Sequence, residues 1–435
     1  MSKIRTVTNT LKLLYLLGVA TFNSKKSECR PLGKHRRIAF FSAFLPPFES
    51  GGVHRLVPLI KAIEESDNQC IYYTRKHPRS DRLTESEKFM QSTLPANAEI
   101  IRTGTSHFKT INAVIPKVDG GIQSAVAAYY EALSHQPETD VVFASGPSFN
   151  YVVAAYLYAV KVNAPLIIDY RDEWTDCPFA FVTKSPFSRR LEKAIVNYAT
   201  KIIMTTEGMI AKHISSFNQP KEKYSLVRNG WDESLDESNS SEITKHPTIS
   251  LLKELGKSKN VLLYVGGLGV ATPPFEFLDY LIENAKVETL QQTAIVFVGH
   301  VEKSYLPLLE NYSTKIEIIV QPQVQKNVAI ESLKYADFLL LFTNKNMERY
   351  LPGKLFDYLK SGTRIINFGC KGAAANILKE LDAGINIDPL YPQCYEDILL
   401  TKGQNYNNSA QDWLEQHKRV VLSKKILNLI ENLMN

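Results

Sequence analysis

The chain has 435 residues, enough for two or three domains that each bury an apolar core. Its 44% hydrophobic and 22% charged residues are typical of a soluble globular protein. The formal net charge of +6 is too dispersed for a nucleic-acid surface, and it suits a phosphorylated ligand or an anionic membrane.

The cysteines are odd in number, scattered, and without C-x-x-C spacing. This pattern indicates a reducing, cytoplasmic setting and argues against a disulfide framework or a zinc site. The histidines show no H-E-x-x-H or similar spacing, so we predict no metal site. The five cysteines are Cys29, Cys70, Cys177, Cys370 and Cys394.

Residues 1–35 form an N-terminal extension with an apolar run at 11–20 between basic residues. The run is too short to span a bilayer. A signal peptide is disfavoured because no small-x-small cleavage site follows and the cysteine pattern does not suit secretion. Two interpretations stay open: an interfacial helix on the cytoplasmic face of a membrane, or a helix packed on the first domain.

A first domain is predicted at residues 36–235, where short apolar strands alternate with helical patterns. Such alternation predicts a parallel sheet with helices on both faces. The polar segment 232–250 indicates an interdomain linker and its flank. The predicted strands are 38–41, 70–73, 99–101, 140–144, 166–170 and 201–205, and the predicted helices 53–66, 125–133, 152–162 and 191–198.

A second domain is predicted at 245–409, because the same alternation restarts there. A final amphipathic helix is predicted over 410–435, and Gly384 is expected to end the helix at 373–381. Two doubly wound halves predict a ligand site in the cleft between them, outside the carboxyl ends of the strands. The predicted strands are 260–265, 294–299, 316–320, 337–342 and 364–368, and the other helices 274–285, 327–335 and 352–362.

The segment 350–362 predicts a short helix opened by Pro352 and Gly353 and closed by Gly362. Asp357 stands one turn inside it, close to backbone N–H groups that suit a ligand carrying hydroxyls and phosphates. The alternative is that Asp357 only pairs with Lys354 at i, i+3 on a solvated face. Spacing alone does not decide between these interpretations.

Glycine-rich turns follow the first strand of each predicted domain, at Gly51-Gly52 and at 266–269. Glycines there let backbone N–H groups approach a phosphate or sugar oxygen. Arg55, one turn into the helix, adds a positive charge. The second turn lacks G-x-G-x-x-G spacing and no acidic residue closes the next strand, which argues against an NAD(P) dehydrogenase.

The run 169–174 places four ionisable residues at the carboxyl end of a buried strand. Charged groups at such a position are costly unless they serve a binding site, which favours a functional role for this run. The structural alternative is a salt-bridged loop that anchors Trp174 over the core.

Five segments together resemble bacterial glycosyltransferase family four, and the resemblance covers nearly everything from residue 36 onward. The part from 350 to 384 is the most specific. Membership implies the GT-B fold, with two Rossmann-like domains facing across a cleft and a C-terminal helix crossing back to the first. The segments are Gly51-Gly52, 169–174, 205–208, 229–232 and 350–384.

The resemblance implies a retaining transferase that moves a sugar from a nucleotide diphosphate sugar to a glycan, lipid-linked or other hydroxyl acceptor. It implies no required cofactor or metal, leaves UDP or GDP open as the nucleotide, and makes surface polysaccharide or glycan synthesis the commonest setting. A peripheral membrane contact is a further expectation, and nucleic acid is not an expected partner.

The resemblance also implies roles for individual residues of this chain. Donor binding would involve the second domain, with Asp357 on the ribose, Leu355 beside the ribose or phosphates, and the backbone of Gln323 and Val324 on the base. Gly267 would lie in the donor loop. Gly51 and Gly52 would line the diphosphate and acceptor side, with Arg171 and Asp172 near the transferred sugar.

The chain departs from the family where an Arg and a Lys usually neutralise the diphosphate, because the loop 266–274 has no cation. Lys354, Arg349, Lys345 or Arg55 would then supply the positive charge that stabilises the leaving group. Two alternatives follow: a degenerate GT-B protein that acts as a binding or scaffold subunit, or a sugar-nucleotide epimerase. The epimerase would need a histidine or paired carboxylates in the cleft; His300 is the candidate, and its alternative is a capping or surface histidine.

Overall fold

A computed structural model describes residues 2–22, 36–104, 114–136, 138–232, 243–270 and 272–433. Most of the predicted linker, residues 23–35 of the N-terminal extension and Cys29 lie outside the described residues. The chain divides into two compact units, which are described separately below. The first unit comprises Met1–Asn229 with Arg419–Asn435, and the second comprises Gly230–Lys418.

The first unit is built on a seven-stranded parallel sheet in the order β3-β2-β1-β4-β5-β6-β7. Its central strands are buried along their whole length, as continuous runs of apolar residues predict for a sheet covered on both faces. The strands are β1 Arg37–Ser42, β2 Gln69–Arg75, β3 Glu99–Thr103, β4 Val141–Gly146, β5 Leu166–Tyr170, β6 Lys201–Met204 and β7 Tyr224–Leu226.

Helices follow the strands of this sheet, so the predicted strand–helix alternation is confirmed. Two of them, α3 and α7, are missing from the prediction, although each begins at a threonine that caps the helix with its side chain. The helices are α1 Ser2–Thr21, α2 Gly51–Glu64, α3 Glu85–Ser92, α4 Ile122–His135, α5 Asn150–Val162, α6 Pro186–Tyr198 and α7 Glu207–Phe217.

The N-terminal helix α1 packs on the first unit, which agrees with one of its two predicted interpretations. Leu13, Leu17 and Ala20 are buried. The hydroxyl of Tyr156 donates a hydrogen bond of 2.6 Å to the carbonyl oxygen of Ala20. Within the described part of the chain, no helix is both long and apolar enough to cross a membrane.

The second unit is built on a six-stranded parallel sheet in the order β10-β9-β8-β11-β12-β13. Its two faces carry separate apolar clusters of buried residues, one of which includes α13. The strands are β8 Asn260–Val265, β9 Thr293–Val298, β10 Glu317–Gln321, β11 Phe338–Thr343, β12 Ile365–Gly369 and β13 Gly384–Ile387. The helices are α8 Pro247–Leu255, α9 Phe275–Asn284, α10 Val287–Gln291, α11 Leu306–Tyr312, α12 Lys326–Ser332, α13 Lys354–Ser361, α14 Ala373–Glu380, α15 Tyr395–Leu399 and α16 Ser409–Gln416.

Two predictions about the end of the chain are wrong. Gly384 does not end the helix before it but opens strand β13, where it pairs with Ile365. The predicted single helix over 410–435 is two helices, because α16 ends before His417 and a new helix, α17, spans Arg419–Glu431. The first of these belongs to the second unit and α17 to the first.

Helix α17 joins the core of the first unit, as expected for a C-terminal helix that returns to it. Leu422, Ile426 and Ile430 are buried in the same apolar cluster as Leu56 and Ile60 of α2. At the end of α17, Arg36 donates to the carbonyl oxygen of Glu431 at 2.7 Å, and Asn68 donates to its carboxylate at 2.9 Å.

Candidate functional site

Each sheet has one point where the strand order reverses direction, and ligands of doubly wound folds bind there at the carboxyl ends of the strands. In the second unit this point lies between β8 and β11. The loops that follow these strands are 266–274 and 344–353. Both had been singled out in the sequence, for their glycines and for the segment that leads into α13.

The turn after β8 is held open by a backbone conformation that favours glycine. Gly266 has φ +134°, and a Cβ at this position would lie 2.7 Å from Nζ of Lys354. Gly266 and Leu268 donate their N–H groups to the carbonyl oxygens of Val298 and His300. The hydroxyl of Tyr264 donates to the carbonyl oxygen of Gly267 at 2.9 Å. These three hydrogen bonds hold the turn in place.

Lys354 brings a positive charge to this turn. Its Nζ lies 3.7 Å from the ring centroid of Tyr264, an arrangement in which the ring face attracts a cation. Desolvation lowers the pKa of Lys354 to about 7. Among the described residues, no carboxylate pairs with Lys354, and the alternative i, i+3 pair with Asp357 is therefore not formed. The lysine is positioned to meet an anionic ligand.

Helix α13 presents its N-terminus to the same turn. Gly353 caps it without any side-chain hydrogen bond, and the Val265 N–H donates to the Tyr358 hydroxyl at 2.9 Å, which ties the helix to the end of β8. Asp357 is half-buried in the first turn of the helix. Leu355 is fully buried in the apolar core, so its side chain faces away from any ligand and only its backbone could contact one.

Gln323 and Val324 lie in the loop after β10, on the same carboxyl edge of the sheet as the turn at Gly266. Gln323 is exposed, whereas Val324 packs against the apolar core. Val324 therefore anchors the loop to the core, and the exposed Gln323 lies next to it.

The other cations that we expected near the diphosphate differ in their surroundings. Arg55 is buried in the first unit, where it forms an ion pair of 2.9 Å with Asp169 and donates to the Val227 carbonyl oxygen. It is therefore not available to a ligand, and that expectation is wrong. Lys345 is exposed, and the guanidinium of Arg349 lies 6.0 Å from the ring centroid of Tyr350.

In the first unit the strand order reverses between β1 and β4, and the glycine pair opens α2 at this point. Ser50 caps the helix through its side chain. A Cβ on Gly52 would lie only 1.6 Å from Nη1 of Arg171, whereas one on Gly51 would meet nothing within 4 Å. Glycine at position 52 therefore allows the guanidinium to lie against the start of the helix.

Burial affects both charged residues predicted in this unit. Arg171 donates from Nε to the Gly146 carbonyl oxygen at 3.2 Å and from Nη2 to that of Pro147. Desolvation lowers the pKa of Arg171 and raises the pKa of the half-buried Asp172. A carboxylate with a raised pKa can accept or hold a proton more readily than an ordinary aspartate.

The rest of the run 169–174 is structural. Asp169 is fully buried and accepts hydrogen bonds from Arg55 and from Ser145 at 2.9 Å. Trp174 stacks on Phe149 with ring centroids 5.1 Å apart. The structural alternative therefore explains Asp169 and Trp174, while Arg171 and Asp172 are left as candidates.

Two residues of the second unit escaped the sequence reasoning. Tyr264, which supports Lys354, carries a weak signal as an aromatic two residues before the glycine turn. Glu302 has no sequence signal, yet its Oε2 would lie 3.5 Å from a Cβ on Gly269. His300, the residue that an epimerase would need, is exposed. Over the described residues, no three His, Cys, Asp or Glu side chains form a group that could hold a metal ion.

No protein-family sequence profile matches the chain. No curated protein matches it either. Solved structures do match. Anabaena HepE in complex with UDP-glucose has a TM-score of 0.56 and 14% identity, covering 92% of this chain and 96% of that chain. WaaG, a glycosyltransferase involved in lipopolysaccharide biosynthesis, has a TM-score of 0.58 and 14% identity, covering 90% and 99%.

The fold is GT-B. It confirms the predicted architecture of two Rossmann-like parallel-sheet domains. The UDP-GlcNAc 2-epimerase from Methanocaldococcus jannaschii is also similar, with a TM-score of 0.55 and 13% identity over 91% of this chain and 99% of that chain. Because one fold carries both chemistries, the function must be argued from the site.

Proposed function

We propose that the protein is a glycosyltransferase that moves a sugar from a nucleotide diphosphate sugar to an acceptor hydroxyl. The observation that carries the proposal is Lys354, a partly buried cation set against the glycine turn at Gly266 where the strand order reverses. No carboxylate in the described part of the chain pairs with it. HepE, with the same fold, binds UDP-glucose, which supports a nucleotide-sugar donor.

The diphosphate would lie between the turn at Gly266–Gly267 and the N-terminus of α13. There Lys354 donates from its ammonium group and the helix N-terminus adds partial positive charge. The bond between the anomeric carbon and the leaving phosphate oxygen breaks, and negative charge develops on that phosphate. A fixed cation stabilises this charge more in the transition state than in the ground state.

Other residues at the same edge of the sheet would select the donor. The carboxylate of Asp357 accepts hydrogen bonds from the ribose hydroxyls, and the backbone near Gln323 and Val324 meets the base. Either UDP or GDP fits this scheme.

The acceptor side would use the first unit, where Arg171 lies against Gly52 at the start of α2. Gly51 and Asp172 are the chain neighbours of these two residues. Asp172 orients the acceptor or the sugar, and Arg171 holds positive charge beside it. We place the enzyme in glycosyltransferase family four, with retention of configuration and with the leaving phosphate taking the acceptor proton. A glycan or lipid-linked acceptor in surface polysaccharide synthesis suits this assignment, and WaaG acts in lipopolysaccharide biosynthesis.

A second candidate is a binding or scaffold subunit without transferase activity. One observation favours it: the turn at 266–270 has no cation of its own, and the carboxylate of Glu302 lies against Gly269. An acidic group so close to the turn weakens the attraction for a diphosphate. The two candidates differ in turnover rather than in binding.

The test is a donor screen with the full chain. UDP, GDP and a panel of their sugars are titrated by calorimetry, and sugar release or transfer to added acceptors is followed by mass spectrometry. We expect one nucleotide sugar to bind and to turn over. We also expect Lys354→Met to weaken binding about tenfold or more, as the loss of a charge-assisted hydrogen bond predicts.

The control variant is Lys379→Met, which removes an equal charge from an exposed position in α14. It should bind as the wild type does. Binding without turnover of any donor would favour the scaffold candidate, conversion of the sugar without transfer would favour an epimerase, and no binding of any nucleotide would defeat the assignment.

A further inference from the structure

Helix α1 has a second apolar face besides the one that packs on the first unit. Its members recur every three or four residues and therefore share one side of the helix, turned away from the buried side chains of Leu13 and Leu17. We call this face the α1 stripe. It consists of Val7, Leu11, Tyr15 and Val19 of the helix and of Phe22, which follows its last residue and donates its N–H to the Gly18 carbonyl oxygen.

The α1 stripe is unusually exposed for large apolar side chains. Leu11 is 61% exposed, Tyr15 76% and Phe22 85%. Single exposed apolar residues are ordinary on protein surfaces, but a continuous row of five along one helix marks an interaction surface.

The charge of the N-terminal sequence points to an anionic partner. The first 27 residues contain five cations and no acidic residue. Lys12 is exposed and lines a shallow groove between α1 and α4 together with Leu16 and Tyr130. The five cations are Lys3, Arg5, Lys12, Lys25 and Lys26.

The area of the α1 stripe favours a lipid surface over a second copy of the chain as its partner. A helix of 20 residues is about 30 Å long and about 10 Å wide, so one face offers roughly 300 Å². Two copies pairing through this face alone would bury roughly 600 Å², whereas stable interfaces bury about 1,200 Å² or more. Five dispersed cations on each copy would also repel one another.

A lipid bilayer needs neither a matching shape nor a large protein interface. Aromatic and aliphatic side chains on one face of a helix, with basic and no acidic residues along it, are the features of helices that lie in the headgroup region of anionic membranes. The helix is also held on the first unit by Tyr156, so it would bring the folded protein with it.

We propose that the α1 stripe docks the protein on an anionic lipid surface, with α1 lying in the plane of the membrane and its other face remaining packed on the first unit. This proposal assigns each of the two predicted interpretations of the helix to one of its faces. The proposal does not depend on the sugar chemistry, because it concerns a different surface and a different ligand.

The experiment is vesicle sedimentation of the full-length protein. Vesicles of phosphatidylcholine alone are compared with vesicles of phosphatidylcholine and phosphatidylglycerol, at low and at high salt. We expect binding to the anionic vesicles, weakened by salt, and at least about tenfold weaker binding of the triple variant Leu11→Ser, Tyr15→Ser and Phe22→Ser.

A matched control removes three equally exposed apolar side chains from other parts of the surface. It combines Phe89→Ser, Leu390→Ser and Leu400→Ser, whose side chains are 63%, 80% and 78% exposed. The control should bind vesicles as the wild type does. Absence of vesicle binding, equal loss in both triple variants, or a dimer in light scattering that only the α1 variant dissociates would overturn the proposal.

Discussion

Burial disfavours the charged form of Lys354, and a bound anion would offset this desolvation. A lysine that is largely removed from water normally pairs with a carboxylate, and here its neighbours are the ring of Tyr264 and the turn at Gly266. The pKa near 7 expresses the same fact, because burial disfavours the charged form. An anion bound at the turn would restore the charge.

This balance predicts a pH dependence for donor binding. A nucleotide sugar does not itself titrate near neutral pH, and its diphosphate prefers the protonated lysine. Affinity should therefore fall as the pH rises through about 7, by at most about tenfold for each pH unit. Calorimetric titration of the donor from the screen at several pH values measures this, and Lys354→Met should flatten the profile. A flat profile in the wild-type protein would contradict the role of this lysine.

The stability of the protein should change with pH in the opposite direction to donor affinity. Between pH 7 and the ordinary lysine pKa of 10.5, the unfolded chain binds more protons at this position than the native unliganded protein does. Lys354 therefore contributes a free energy of unfolding that increases with pH across this window. As the pH rises, the protein should gain stability and lose donor affinity. These opposite trends distinguish a lysine that binds a ligand from a structural lysine.

At the scale of the element, the packing at the start of α2 depends on the lack of a Cβ atom at Gly52. The guanidinium of Arg171 occupies the space that a side chain on Gly52 would need, while it donates to the carbonyl oxygens of Gly146 and Pro147. The neighbouring Gly51 has no such restriction. The two glycines form one motif in the sequence but have different roles in the structure.

The pair provides a matched test. Gly52→Ala should displace the guanidinium and lower the free energy of unfolding by about 1–3 kcal/mol, since buried hydrogen bonds are lost. Gly51→Ala should leave it unchanged or raise it by up to about 1 kcal/mol, because alanine favours the helix. Urea unfolding of both variants measures the difference, and equal effects would refute the contact between Gly52 and Arg171.

At the scale of the whole molecule, the chain leaves the first unit after Asn229 and returns to it at Arg419. Trp231 and Lys418 form a bridge where the second unit begins and ends, and the Trp231 indole donates to the Leu414 carbonyl oxygen at 2.9 Å. Helix α17 then completes a core whose other buried members, from Ile38 to Val227, all precede the second unit, so the first unit needs residues from both sides of the second.

We expect Ile426→Ala to destabilise the first unit by about 2–5 kcal/mol, because it leaves a cavity beside α2. Hydrogen exchange followed by mass spectrometry should show faster exchange in β1 and α2. Val420→Ala, on the exposed side of the same helix, is the control and should have little effect. Faster exchange in β8 and β11 without any change in β1 would contradict the assignment of α17 to the first unit.

Local patterns were sufficient for most of the fold. Runs of apolar residues predicted eleven of the strands, because a strand covered on both faces needs apolar side chains at consecutive positions. The helix at Lys354–Ser361 was also predicted, since its apolar residues recur at helical spacing and Gly362 ends it in the left-handed conformation. The short, partly exposed strand at Gly384 has neither signal and was missed.

The sequence by itself determined the strand–helix alternation, the glycine turns and hence the fold class, because these follow from burial and backbone conformation over a few residues. Only the tertiary structure decided which charges are available. Arg55 and Lys354 are both cations near the start of a helix in the sequence, yet Arg55 is paired with Asp169 and Lys354 lies against the ring of Tyr264. The strand order brings residues more than 90 positions apart into contact, and no local pattern records which of them will meet.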